Sequence, residues 1–147
     1  MPSLREQVAI NIVDVLKETD DPHVVLVTRD PFDVEKLAIT QFPALLVQQT
    51  TETRETITMG TPGVGRRMGV MTFELRGFVR GTELDSRRNE LIEAVEKQLD
   101  SDRYRGLLAT GVTDSQLVSI EIVPRLQPLA EFIITVEVTY NYLRGTP

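Results

Sequence analysis

The stretch GTPGVGRR, residues 60–67, comes closest in this sequence to a site for chemistry. Gly60 and Gly65 have the spacing of the phosphate-binding loop G-x-x-x-x-G-K-[ST], whose backbone N–H groups and Lys hold nucleotide phosphates. However, Arg66 stands in place of the Lys, and Arg67 in place of the hydroxyl residue that binds Mg²⁺. Such a loop must also open a helix, whereas the alternating sequence that follows predicts a strand. We therefore interpret the stretch as the glycine-rich tip of a hairpin.

The remaining combinations of chemically active residues are weak candidates for a metal or catalytic site. His23 is the single histidine and follows residues 20–22 in a predicted turn, so a solvated turn explains it better than a metal site does. Residues 100–102, Asp-Ser-Asp, lack the Gly and the closing Glu of a calcium loop. With no cysteine, the chain has neither a thiolate ligand nor a thiol nucleophile. We expect no catalytic residue, no cofactor and no metal. The spacing of a carboxylate pair is set by the folded structure, so a carboxylate-using enzyme stays among the alternatives below.

The bulk composition is that of an ordinary soluble domain. A chain of 147 residues with 41% hydrophobic residues fits a single domain, residues 1–147, with one core. The net charge of −6 argues against a nucleic-acid-binding protein, since such proteins usually carry a basic balance. We expect no membrane association, because no apolar run approaches a spanning length and the first residues do not resemble a signal peptide.

Two amphipathic helices are predicted. The first covers residues 4–18, where Ser3 and Glu6 form the S-x-x-E capping box and apolar residues recur every three or four positions. The second covers about residues 83–100 and begins with a T-x-x-D cap at Thr82.

Strand patterns occupy much of the remaining chain. They lie at residues 24–27, at 42–47 with a polar, Thr-rich continuation, at 71–80, at 118–122 and at 132–142. The order of elements predicts an α+β fold: a two-layer sandwich with a mainly antiparallel sheet of about five strands, two amphipathic helices on one face and a long protruding β-hairpin.

The predicted hairpin spans about residues 48–80. If it folds back near Gly63, Val47 lies opposite Arg80. A two-stranded ribbon cannot bury its own apolar side chains, so either the helices of this chain or another chain must cover them. The side chains concerned are Met71, Phe73 and Leu75.

The order of elements also resembles a known family. A capped first helix precedes VVLVTRD, the segment QFPALLVQQTTE leads into the hairpin, a second helix ends near QLDSD, and the last strand reads FIITVEVTYNY. Together these segments resemble the tail terminator (tail completion) proteins of tailed bacteriophages, over roughly residues 4–143.

The resemblance implies a structural virion protein and no enzyme. Members of that family form a hexameric ring that caps the tail tube, ends tube growth and joins the tail to the neck or head. The implied partners are other copies of the chain, the tail tube protein, and neck, connector or sheath-related proteins, while DNA passes through without specific binding. The implied location is the head-proximal end of the virion tail, after assembly in the host bacterial cytoplasm. The candidate interface residues are Arg54, Gly60, Gly63, Gly65, Arg66, Arg67, Met68, Met71, Phe73 and Leu75.

Two alternatives stay open at this point. One is another phage neck, head-completion or baseplate protein with a similar fold. The other is a small carboxylate-using enzyme or ligand-binding α+β domain.

Overall fold

The computed structural model describes residues 3–20, 22–56, 66–107 and 111–143. Two α-helices and five strands make up these residues, with two short 3-10 turns between the first two strands. In chain order they are α1 (Leu4–Lys17), β1 (Leu26–Thr28), the turns Val34–Lys36 and Ile39–Gln41, β2 (Ala44–Thr56), β3 (Arg66–Arg80), α2 (Leu84–Asp100), β4 (Val112–Val123) and β5 (Leu129–Leu143).

The five strands form one sheet in the order β1-β2-β3-β5-β4. Only the short β1 runs parallel to its neighbour, and the other three pairings are antiparallel. The buried faces of α1 and α2 share one hydrophobic core with one face of the sheet. The predicted α+β sandwich, with a mainly antiparallel sheet and both helices on one side, is therefore confirmed.

The core is built on the alternation of β3 and β5. Met71, Phe73 and Leu75 point to the helices and are no more than 1% exposed. Their cross-strand partners on β5 are Val138, Val136 and Ile134, which are buried on the same face. In an antiparallel pair, directly opposite side chains share a face. The core therefore combines two adjacent apolar rows with the stripes of both helices.

We call the helix-facing residues of β3 the β3 row: Gly69, Met71, Phe73, Leu75 and Gly77. Its two glycines lie where an aromatic ring of β5 occupies the space of a side chain. Gly77 lies opposite Phe132, and Gly69 lies opposite Tyr140. A Cβ at Gly77 would overlap the Phe132 ring, and one at Gly69 would overlap the Tyr140 ring. The two rings therefore lie over bare backbone, which accounts for glycine inside a long strand.

The predicted capping box of α1 is only half formed. The Ser3 hydroxyl accepts a hydrogen bond from the Glu6 backbone N–H at 3.2 Å, as expected. The Glu6 carboxylate does not return to the helix start, because it forms an ion pair with Arg29 at 2.6 Å. The cap thus also ties α1 to the segment after β1.

The predicted cap of α2 is wrong. The helix begins at Leu84, so Glu83 occupies the N-cap position, in a left-handed conformation with φ of 54° and with no side-chain cap hydrogen bond. Thr82 lies one residue too early to cap. Asp85 instead pairs with Arg88 at 3.1 Å. On the exposed side of the helix, Glu93 and Lys97 form an i,i+4 ion pair at 3.0 Å.

The register and surroundings of the hairpin also differ from the prediction. Val47 lies opposite Leu75 and not opposite Arg80. In addition, β5 pairs with β3 along its whole length, from Arg66 to Arg80. The described part of the hairpin is therefore inside the sheet and is not a two-stranded ribbon, because β5 is as long as β3.

Candidate functional site

The stretch that resembles a phosphate loop lies only partly within the described structure. Gly60, Gly63 and Gly65 lie outside the described residues. Arg66 and Arg67 are the first two residues of β3. A phosphate loop needs a helix at this point, because the helix N-terminus supplies the N–H groups that hold the anion. A 15-residue strand follows instead, which supports interpreting the segment as a connection between strands.

A cluster of charged and aromatic side chains lies near this end of the sheet, on its helix-facing side. Arg5 of α1 donates to the Glu52 carboxylate at 2.6 Å, and Arg54 reaches the same carboxylate oxygen at 3.3 Å. Arg54 also donates to the Tyr142 hydroxyl at 3.2 Å and lies over the Tyr142 ring, 5.0 Å from its centroid. Tyr140 stacks on Tyr142 with centroids 5.7 Å apart. We call these five residues the Glu52 cluster.

The neighbouring charges and burial shift the pKa of Glu52 in opposite directions. Burial disfavours the Glu52 carboxylate, but the hydrogen bond and charge of Arg5, together with the charge of Arg54, outweigh burial and lower the pKa of Glu52. Burial raises the pKa of the Tyr140 hydroxyl, and the neighbouring Glu52 charge raises it further. The cluster is thus stable as a carboxylate held between two guanidinium groups, with a neutral phenol beside it.

The Glu52 cluster fits a structural role better than a catalytic one. The cavity beside it, which Met71 and Ser3 also line, has a volume of about 80 Å³. Ligand pockets usually have about 300–1,000 Å³. The contacts of the Glu52 cluster join the start of α1 to the end of β2 and to β5. Arg54, a candidate for contacting a neighbour, is therefore engaged within its own chain. No sequence signal predicted the pairing of Arg5 with Glu52, 47 residues apart.

Three other candidate interface residues lie in the core. Met71, Phe73 and Leu75 are covered by this chain's own helices and not by another chain. This is one of the two ways in which the predicted hairpin could bury them. Because these side chains have almost no exposed surface, they cannot contact a neighbouring subunit while the domain is folded, and we do not retain them as interface residues. Met68 differs, since it is half-buried on the other face, opposite Glu55.

The outermost strand, β4, carries exposed apolar side chains. The sequence pattern predicted a strand at residues 118–122 but did not indicate that its apolar side chains are exposed. Ile120 and Ile122 lie opposite Ile134 and Phe132, so they point to the helix-facing side of the sheet. They are nevertheless 42% and 46% exposed, and Val118 is 42% exposed. The strand pairing is irregular between Leu117 and Ser119, which leaves Val118 at a bulge. We call Ile120 and Ile122 the β4 row.

A groove runs beside the β4 row. It has a volume of about 620 Å³ and lies between the first turn of α2 and the end of β4, with Ile122, Leu84 and Arg88 among its lining residues. Two ion pairs border it, between Arg88 and Asp85 at 3.1 Å and between Arg125 and Glu131 at 2.8 Å. Its two cations are thus already paired, Glu83 adds a negative charge, and the lining is partly apolar at Leu84 and Ile122 but mainly polar.

Comparison with known proteins finds a solved structure of similar fold. No family model matches the sequence, and no curated protein matches it. A chain in the virion of a native gene transfer agent particle is similar in structure, with a TM-score of 0.50 and 8% sequence identity. The match covers 95% of this chain and 96% of that chain. At this identity the likeness shows a shared fold over nearly the full length.

The candidate metal positions do not assemble into a site. Within residues 3–20, 22–56, 66–107 and 111–143, no three His, Asp or Glu side chains are grouped so that they could hold a metal ion. His23 bridges to Asp20 through the backbone of its turn. Asp102 accepts hydrogen bonds from the backbone N–H groups of Tyr104 and Gly106, at 2.9 and 2.5 Å, and so organises the turn after α2. Neither helix in the described chain is long and apolar enough to cross a membrane.

Proposed function

We propose that this protein is a structural component of a phage-like virion, and that it forms a ring that caps the tail tube, ends tube growth and joins the tail to the neck or head. One observation carries the proposal: over 95% of this chain, the fold matches that of a chain in the virion of a gene transfer agent. The order of elements and the segments QFPALLVQQTTE and FIITVEVTYNY, which resemble the tail terminator family, support the finer assignment.

The arrangement of polar groups agrees with an assembly role. In the described residues, the ion pairs lie on the surface or belong to structural contacts such as the Glu52 cluster. Among the exposed aliphatic side chains, three lie close together on the outermost strand: Val118, Ile120 and Ile122. Exposed apolar surface framed by polar residues is characteristic of protein–protein contacts.

The sheet face opposite the helices suits a channel for DNA. Its central part carries half-buried Thr72 and Glu74 on β3, and Thr135 and Glu137 on β5. Phosphate contacts by Lys and Arg dominate nucleic-acid affinity, and these four side chains supply none. Arg76, the next residue of β3 on this face, is paired with Glu74 and Glu131. We propose that this face borders the channel, where DNA would pass without specific binding.

Light scattering on purified protein tests the ring, together with negative-stain microscopy. We expect a single species with the mass of about six chains of 16.6 kDa and ring-shaped particles with a central hole. A strict monomer at high concentration, both alone and mixed with the cognate tail tube protein, would contradict the proposal.

A deletion in the virus that encodes the chain tests the capping role. We expect tails of uncontrolled length that do not join heads, and restoration of both properties by the chain supplied in trans. Joined particles with tails of normal length would contradict the role, whatever the oligomeric state.

A further inference from the structure

The sheet has two unpaired strand edges. On one side, β4 is the outermost strand, and no described strand pairs with its outer edge. On the other side, β1 pairs with β2 only at residues 44–46. The described chain therefore supplies no strand partner for residues 47–56 of β2 on that side. An unpaired edge presents a row of backbone N–H and C=O groups that can pair with another strand.

The β4 edge has little of the protection that is usual for an edge strand, namely the bulge at Val118 and the charge of Glu121. The turn after α2 contacts only its beginning, through Arg103 to Asp114 at 3.1 Å and through the Ser115 hydroxyl to the Arg103 carbonyl at 2.8 Å. From residue 116 to 122 every side chain except Leu117 is exposed. This segment has no Lys, Arg or Pro, and it carries three exposed aliphatic side chains: Val118, Ile120 and Ile122. Edges are normally shielded by Lys and other charges, by proline or by bulges, and β4 has neither Lys nor proline in this segment.

The directions of the two edges are compatible. β2 is antiparallel to β3, β3 to β5, and β5 to β4, so β4 runs opposite to β2 within one chain. If a second copy is placed beside the first by rotation about an axis along the strands, its β2 therefore lies antiparallel to β4. One edge then meets a different edge, and a head-to-tail contact of this kind forms a ring when the rotation between neighbouring copies closes.

The contact area indicates what kind of partner fits. A pair of ten-residue strands is about 34 Å long, and a sheet layer is about 10 Å thick. The edge alone thus supplies roughly 340 Å² per partner, whereas stable interfaces bury about 800 Å² per partner. A single added strand would not suffice. The β2 edge of a second copy has α1 packed on its helix-facing side, and this second layer can extend the contact into the groove beside α2.

We infer that β4 of one copy pairs antiparallel with residues 47–56 of β2 in a second copy, continuing the sheet between subunits. Ile120 and Ile122 then become buried against the second copy's β2 and α1. The inference rests on the proposed function in that it requires self-association, and it names the two surfaces that associate.

Cysteine cross-linking tests this pairing, because the chain has no cysteine of its own. Ser119→Cys is placed on β4, and Thr51→Cys, Thr53→Cys or Glu55→Cys on β2, so that three positions sample the register. With a short bis-maleimide reagent, variants carrying both cysteines should give a ladder of linked chains. Each single-cysteine variant should stay a monomer on a denaturing gel.

A charge at the edge tests the same surface without cross-linking. Ile120→Lys combined with Ile122→Lys should weaken association about tenfold or more, as expected for central interface side chains. Because both positions are more than 40% exposed in the single chain, circular dichroism should change little, and so should the unfolding midpoint at a protein concentration where both chains are monomers. Ile39→Lys is the matched control, since Ile39 is 68% exposed and lies in a turn away from β4; this variant should associate normally.

The outcomes separate the inference from the proposed function. A ring by light scattering without ladders from any double-cysteine variant would overturn the edge pairing and leave the ring intact. Dimers from Ser119→Cys alone would also overturn it, since they would mean that β4 pairs with β4. Absence of any oligomer would instead contradict the proposed function.

Discussion

Strands β3 and β4 carry the same kind of pattern but end in opposite environments. On β3, the alternate residues Met71, Phe73 and Leu75 are covered by both helices and are at most 1% exposed. On β4, Ile120 and Ile122 point to the same side of the sheet but are 42% and 46% exposed. The difference lies in position: β3 is the central strand of the sheet, whereas β4 is the last.

The comparison shows what an alternating pattern can predict. Period-two apolar residues predict a strand and identify its apolar face. They do not indicate whether another layer covers that face, because coverage depends on where the strand lies in the sheet. A row that stays exposed on an outermost strand is therefore a candidate contact surface, and a row in the centre is not. Each prediction below tests one side of this comparison.

The largest effect is expected from Phe73→Ala in the β3 row. Removing a fully buried aromatic side chain leaves a cavity, and we expect the free energy of unfolding to fall by about 3–5 kcal/mol. Urea unfolding followed by circular dichroism measures this loss. A loss below about 1 kcal/mol would mean that the helices do not pack on β3 as described.

Gly77→Ala tests the packing between the β3 row and β5. The new Cβ would overlap the Phe132 ring, and overpacking of this kind costs about 1–3 kcal/mol. The measurement is a double-mutant cycle of urea unfolding with Phe132→Ala. The two losses should be less than additive, because removal of the ring removes the overlap. Additive losses would show that the two positions are not in contact.

Much of the fold was predictable from sequence because it follows from local patterns. Both helices and the alternation of residues 71–80 were predicted near their observed positions. The N-cap of α2 and the hairpin register were not, because the first depends on a left-handed residue at Glu83 and the second on pairing with two neighbouring strands. The exposure of the β4 row likewise depends on the order of strands in the sheet, which no local pattern encodes.

Glu52→Gln tests how much the Glu52 cluster, which lies beside Met71 of the β3 row, contributes to stability. The substitution keeps the shape of the side chain but removes the charge that Arg5 and Arg54 contact. We expect a loss of about 1 kcal/mol at neutral pH, measured by urea unfolding. Glu93→Gln is the control, since its pair with Lys97 is exposed and contributes only about 0.3–0.5 kcal/mol.

The pH dependence gives this test a definite sign. The pKa of Glu52 is lowered from its ordinary value of 4.5 in the folded chain, so its charge stabilises the folded state at pH values above 4.5. That contribution is lost as the pH falls through the lowered pKa. The difference between the original chain and Glu52→Gln should therefore shrink in acid. A difference that grows as the pH falls would contradict the described contacts.

The smallest effect is expected from Ile120→Thr in the β4 row. Threonine keeps the β-branch that favours a strand, and nearly half of the isoleucine side chain already contacts solvent in the single chain. Since full burial of such a side chain contributes about 1.5–3 kcal/mol, we expect the monomer to lose less than about 1 kcal/mol. Urea unfolding at low protein concentration, where association does not add to stability, measures the loss. A loss as large as that of Phe73→Ala would mean that β4 is covered within its own chain, and the contrast between the two strands would then fail.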